Sequence, residues 1–170
     1  MVTEILESSR LALGGATVRR DPCDLADSIS AVVDGLEDAT RARIVFEAAG
    51  DAPCVVLADP AQIERAFSNL LTNALKYSRD AVRVRLESRE GNAVVEVSDR
   101  GVGIALESAP RLFDRYYRAP NGQHIGNSFG LGLYITRLIA EAHGGRVEVR
   151  SELGKGSTFS LVIPLHDVHG

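Results

Sequence analysis

Hydrophobic and polar positions change period several times along this chain, and each change marks an element. Residues 25–41, 60–77 and 131–143 carry apolar side chains at the three-and-four spacing that gives a helix one buried face. Residues 44–48, 54–57, 82–87, 94–97, 147–151 and 158–163 are short apolar or alternating runs, as strands are. Gly91-Asn92 and Gly154-Lys155-Gly156 supply turn residues between neighbouring strands and predict two hairpins. The expected fold is α/β, a two-layer α/β sandwich in which a mixed sheet is covered on one face by helices.

The helix over 60–77 carries the first candidate chemistry. Asp59 is a good N-cap, Pro60 suits the first helical position, and Gln62, three residues after the cap, completes a capping-box pattern. Asn69, Asn73, Lys76 and Tyr77 share one face while Leu70, Leu71 and Leu75 point elsewhere. An Asn amide oxygen is a hard, neutral ligand that Mg²⁺ accepts when phosphate oxygens and water complete its octahedron, so Asn73 could hold a metal arriving with a nucleotide. Lys76, one turn on, would be a mobile point charge for terminal phosphates. Taken alone, such a stripe equally describes a solvated helix face.

Two glycine patterns follow. Asp99-x-Gly101-x-Gly103 ends the alternating run 93–97, which sets it at the mouth of a half-buried strand. Glycines there let the backbone approach a flat ligand, and a carboxylate can accept from an exocyclic base amine, although the same residues also make ordinary turns. Gly130-x-Gly132 opens the helix over 131–143, where unpaired N–H groups and the helix dipole favour phosphate. A plain glycine hinge is the alternative.

In this order and spacing, these blocks resemble the catalytic and ATP-binding domain of sensor histidine kinases, a branch of the GHKL ATPase superfamily with the Bergerat-type ATP-binding fold. The resemblance covers roughly residues 20–165 and includes the run 111–118, which looks like the phenylalanine box, and 141–147, similar to the family's helix-to-strand junction. It implies ATP and Mg²⁺ as cofactors. Asp99 would bind the adenine amine, Tyr77 and Ile104 would pack on the ring, Asn73 would ligate Mg²⁺, and Lys76 would approach the phosphates. Gly101, Gly103, Gly130, Leu131, Gly132 and Leu133 would line the nucleotide, as would Ser157 and Thr158 from the Gly154-to-Phe159 block. Arg115 and Arg118 fall where the family keeps arginines near the triphosphate, and a planar guanidinium suits a phosphoryl group in transfer. Arg118 joins Asn69 and Lys76 as the catalytic candidates, and a surface role for one of the two arginines stays open. Residues 119–129 would form a mobile lid.

Two departures qualify what the resemblance implies. Hydrolytic members of the superfamily carry a Glu one turn before the metal Asn, to deprotonate water; this chain has Asn69 there, and an amide is no general base at neutral pH. Transfer to a better nucleophile therefore fits better than hydrolysis. In the lid, Ser128-Phe129 stands where the family reads glycine and a small residue, which would restrict the hinge or shift the amide that meets phosphate.

None of the four histidines, His124, His143, His166 and His169, fits a phosphoacceptor on a helical hairpin. Residues 1–13 look like the end of such a hairpin's second helix, residues 20–165 are the catalytic domain, and 166–170 a flexible tail. The expected partners are a dimerisation and phosphoacceptor hairpin and, through the full-length kinase, a response regulator; alone, the chain should be monomeric. His143 reads as a helix C-terminal residue set against the dipole before Gly144.

Charge and composition narrow the alternatives. A net charge of −4 lacks the electrostatic footprint of a nucleic-acid binder. No apolar stretch approaches a membrane span and no signal peptide is apparent, so the expected location is cytoplasmic, with a parent that, like many such kinases, can be membrane-anchored. Cys23 and Cys54 lack metal-type spacing and read as reduced thiols. Besides the kinase, two readings remain: a nucleotide-binding regulatory module without transfer, and another GHKL ATPase or protein kinase.

Overall fold

The structure is a computed structural model, described here for residues 19–118 and 131–167. Strand β1 (Asp21–Asp24) leads into helix α1 (Leu25–Asp34), whose N-cap Asp24 accepts the Ala26 N–H at 3.0 Å. A single turn, α2 (Asp38–Arg41), precedes β2 (Ile44–Ala48) and β3 (Val55–Ala58). Helix α3 (Pro60–Tyr77) is followed by the hairpin of β4 (Val82–Arg89) and β5 (Asn92–Asp99), then by a 3-10 helix, Leu106–Arg111. Helix α4 (Gly132–Ala142) and the hairpin of β6 (Arg146–Glu152) and β7 (Gly156–Pro164) complete the domain.

The main sheet runs β2-β4-β5-β7-β6, with β2 parallel to β4 and every other pair antiparallel, so the expected mixed sheet is present. Its helix-facing positions are Val82, Val84 and Leu86, then Ala93, Val95 and Val97, then Phe159, Leu161 and Ile163, all buried. They meet Ile63, Ala66, Phe67 and Leu70 of α3 and Ile135 and Ile139 of α4 in one core. The other face presents charge, with Arg89 and Arg150 reaching Glu96 at 3.2 and 3.4 Å. Exposed pairs of that kind contribute at most about 1 kcal/mol each, so the layer is held by its apolar side.

Two sequence expectations change here. The helix expected over 25–41 stops at Asp34, because Gly35 is a weak helix former and Glu37 adopts extended backbone (ψ 147°) before the chain turns once more. The 54–57 strand does not join the main sheet. It pairs antiparallel with β1, a strand with no apolar alternation of its own to announce it. Cys23 and Cys54 are free and buried in this ribbon, and burial, with Asp24 nearby, pushes the Cys54 thiol up from its ordinary value. The chain is still docked at His166, whose N–H donates to the Val55 carbonyl at 2.8 Å.

Helices α3 and α4 pack antiparallel, with a polar clasp at each end of their apolar contact. At one end Asn69 Nδ2 donates to the Gly132 carbonyl at 3.2 Å. At the other, the Asp59 N–H donates to His143 Nε2 at 3.1 Å, while His143 Nδ1 lies 2.7 Å from the Ile139 carbonyl. A carbonyl only accepts, so the proton sits on Nδ1 and the ring is neutral. His143 thus takes the backbone donor that a capping-box Gln62 would have taken. The Gln62 Oε1 is buried without a partner among the described residues, and Asp59 Oδ1 caps Ala61 N–H instead, at 3.1 Å.

Candidate nucleotide site

The site gathers at the C-terminal half of α3, the loop after β5, the start of α4 and the β6–β7 hairpin. Asn69, Asn73, Lys76 and Tyr77 are all half-buried, whereas Thr72 between them is exposed. That pattern is not of a fully solvated stripe. The end of α3 is fixed by a residue the sequence did not single out. Arg43, just before β2, donates through Nη2 to the Ser78 carbonyl at 2.6 Å and the Asp80 carbonyl at 3.3 Å, satisfying acceptors beyond the helix end with a favourable charge.

Asp99 ends β5 with its carboxylate nearly buried. It accepts the Gly101 N–H at 2.8 Å and a backbone N–H from Ser157, its partner across the sheet. Burial pushes its carboxyl up from the ordinary range, and these two N–H groups pull it partly back. A side chain at Gly101 would place its Cβ 2.1 Å from the Tyr77 carbonyl, and one at Gly103 (φ +70°) would meet the Glu152 carbonyl at 2.0 Å. Both glycines are therefore needed to seat the loop between α3 and β6, whatever they do for a ligand.

Lys76 and Arg118 are brought together electrostatically. Burial lowers the Lys76 ammonium from its ordinary value, and the Arg118 guanidinium lowers it further. The Lys76 Nζ also stands 5.6 Å from the centre of the Tyr77 ring. Arg115, by contrast, is exposed and stacks over the ring of Tyr116 at 4.8 Å, the geometry of a surface contact. The two arginines of this block thus separate into one coupled to Lys76 and one on the surface.

Helix α4 begins at Gly132 with no side-chain cap among the described residues, and the N–H groups of such a first turn favour an anion. The Leu131 side chain is buried in the core, so only its backbone could face a ligand, whereas Leu133 is half-buried and packs against the core with part of its side chain. Gly130, the 119–129 lid with Ser128-Phe129, and residues 1–13 lie outside the described residues. On β7, alternation separates Ser157 from Thr158. Ser157 faces the Asp99 side, but the Thr158 hydroxyl bonds Ser98 Oγ at 2.9 Å on the opposite face of the sheet, so its side chain is not a pocket residue. Phe113 of the phenylalanine box packs edge-on against Phe159, centroids 6.2 Å apart. Among the described residues, no group of three or more His, Cys, Asp or Glu could hold a metal, and no helix is long and apolar enough to cross a membrane.

Comparison with known proteins agrees with this arrangement. The family described as histidine kinase-, DNA gyrase B-, and HSP90-like ATPase matches residues 58–167, which contain the whole pocket. The chain is 40% identical to the sensor histidine kinase CusS of Escherichia coli O157:H7 over 145 residues, 83% of this chain and 30% of CusS. The mycobacterial sensor histidine kinase MprB superposes with a TM-score of 0.71 at 26% identity, covering 88% of this chain and 99% of that one. Full-length ShkA in complex with AMPPNP gives a TM-score of 0.82 over 99% of this chain and 36% of its own; at 24% identity it speaks for the fold alone. The architecture is that of a two-layer α/β ATPase domain. The chain belongs to the histidine kinase-, gyrase B- and HSP90-like ATPase family, as an ATP-binding domain of the sensor histidine kinase type, and spans under a third of the length of CusS.

Proposed function

We propose that this chain binds Mg²⁺–ATP and supplies the γ-phosphoryl group to a histidine on a dimerisation hairpin, for relay to a response regulator. The observation that carries the reading is geometric: a buried carboxylate at Asp99 that accepts the Gly101 N–H at 2.8 Å, with Asn69, Asn73, Lys76 and Tyr77 half-buried along one face of α3. Lys76 and Arg118, whose like charges help lower the Lys76 ammonium, suit a polyanion, whose arrival offsets that repulsion. The carboxylate accepts the adenine amine, Tyr77 and Ile104 flank the ring, and the α4 N-terminus receives phosphate oxygens.

The donor set fits a metal that travels with the nucleotide. Asn73 offers one neutral oxygen on the pocket face of α3, and no carboxylate cluster exists among the described residues to hold an ion by itself. When bound, Mg²⁺ neutralises charge developing on the phosphate oxygens. Asn69 provides no general base, and its amide is engaged with the Gly132 carbonyl, where it braces the start of α4. His143 is no acceptor either, since both ring nitrogens are in use within the fold.

A nucleophile supplied by another domain, a hairpin partner, fits these two residues, with the chain as the core of a cytoplasmic kinase; the isolated chain should be a monomer. With γ-phosphate-labelled ATP, the chain alone should release phosphate slowly, and adding a hairpin domain from a sensor kinase should yield acid-labile, base-stable label on that domain. Rapid hydrolysis by the chain alone, with no label transferred, would favour an ATPase instead.

A further inference from the structure

The hydroxyl that reaches most of the proposed adenine end belongs to a residue that need not touch the base. Ser151, in β6, lies 2.8 Å from the Ile104 N–H, 2.9 Å from the Gly156 carbonyl and 2.7 Å from the Ser157 hydroxyl. A serine hydroxyl has one proton and two lone pairs, an amide N–H only donates, and a carbonyl only accepts. One allocation uses all three contacts. Ser151 donates to Gly156, and accepts from the Ile104 amide and from the Ser157 hydroxyl, which is thereby fixed as a donor.

This hydroxyl joins the loop that carries Ile104 to the strand that backs Asp99. Ser157 pairs with Asp99 across the sheet and gives its backbone N–H to the carboxylate, and the Ile104 amide follows the Asp99-to-Gly103 turn by one residue. We propose that Ser151 is a positioning residue for base recognition, holding the Asp99 carboxylate and the Ile104 side chain in one register so that adenine preference depends on its hydroxyl. This inference rests on the reading of Asp99 as the adenine acceptor. A purely structural serine would stabilise the hairpin without affecting which base binds.

The two roles separate in a comparison of Ser151→Ala, Ser151→Cys and Ser151→Thr with the native chain, by titration with non-hydrolysable ATP and GTP analogues and by thermal unfolding. Loss of one half-buried hydroxyl that serves three partners should weaken the ATP analogue about tenfold and the GTP analogue less, narrowing the preference for adenine. Cys, near in size but a weak hydrogen-bonding group, should behave like Ala; Thr, which keeps the hydroxyl, should restore the preference. Variants that melt lower yet keep native affinity and preference would overturn the inference. Asp99→Asn, titrated alongside, separates the two claims: if it abolishes binding while the Ser151 variants bind as the native chain does, the inference fails alone. Native affinity in Asp99→Asn would overturn both.

Discussion

Asp99→Asn should abolish measurable nucleotide binding and leave the fold about as stable as before. The carboxylate already accepts from Gly101 and from Ser157, and the adenine amine would be its third donor. An Asn has one accepting oxygen, and its NH₂ puts a donor where the carboxylate had its second acceptor. Loss of a charge-assisted acceptor with a donor put in its place should weaken affinity by about a hundredfold or more. Stability should move differently. Burial raises the Asp99 carboxyl in the folded state, so the fold favours the protonated form; that contribution is present below the unfolded carboxyl value and is lost as pH rises through the raised folded value. At neutral pH the ionised carboxylate is therefore a cost that a neutral amide avoids, offset by the weaker hydrogen bonds it makes. The same shift predicts opposite pH trends. As pH falls through a window above the ordinary carboxylate range, nucleotide affinity should drop while the contribution of Asp99 to stability improves. Calorimetric titration and thermal melts across acid pH read the two trends independently. Parallel trends would mean that Asp99 does not meet the base.

The second large effect is expected at Arg118. Its like charge helps lower the Lys76 ammonium, and in the proposed function the two cations meet the phosphates together. Arg118→Ala should cut phosphoryl transfer to a supplied hairpin domain by about a hundredfold or more, as loss of a transition-state arginine does, with a smaller loss of affinity. It should also let the Lys76 ammonium rise toward its ordinary value, because a like charge has gone. Arg115→Ala removes a side chain that stacks on exposed Tyr116, and transfer should stay within about threefold of native, the range of a surface change. Rate measurements on both variants, with the Lys76 titration followed by NMR, check the assignment. Equal losses in the two variants would show that the arginines share the role.

Much of this architecture is legible in the chain, for identifiable reasons. Helix α3 begins at Pro60 and ends at Tyr77, as the cap and the apolar spacing predict, because local signals and tertiary burial agree there. The β4–β5 and β6–β7 hairpins follow their glycine turns: Glu90 and Gly91 both take positive φ, as does Gly154. What escaped notice depends on contacts distant in sequence. His143 displaces Gln62 at the start of α3 from 84 residues away, and Arg43 grips carbonyls 35 and 37 residues on. Nothing local distinguishes Ser151 from any other strand serine. Thr158 shows the reverse error, since the motif drew attention to a residue that strand alternation turns away. Asn69, given a part in catalysis by its place in the motif, is engaged as a brace between α3 and α4.

The central claim is that this pocket holds a nucleotide together with its metal. It is met most directly by calorimetric titration of the chain with a non-hydrolysable ATP analogue, with and without Mg²⁺. One saturable site per chain is expected, tighter with Mg²⁺, with a Mg²⁺ effect that is lost in Asn73→Ala. Binding of the same strength with and without the metal would contradict the role of Asn73, and no saturable binding under either condition would contradict the claim itself.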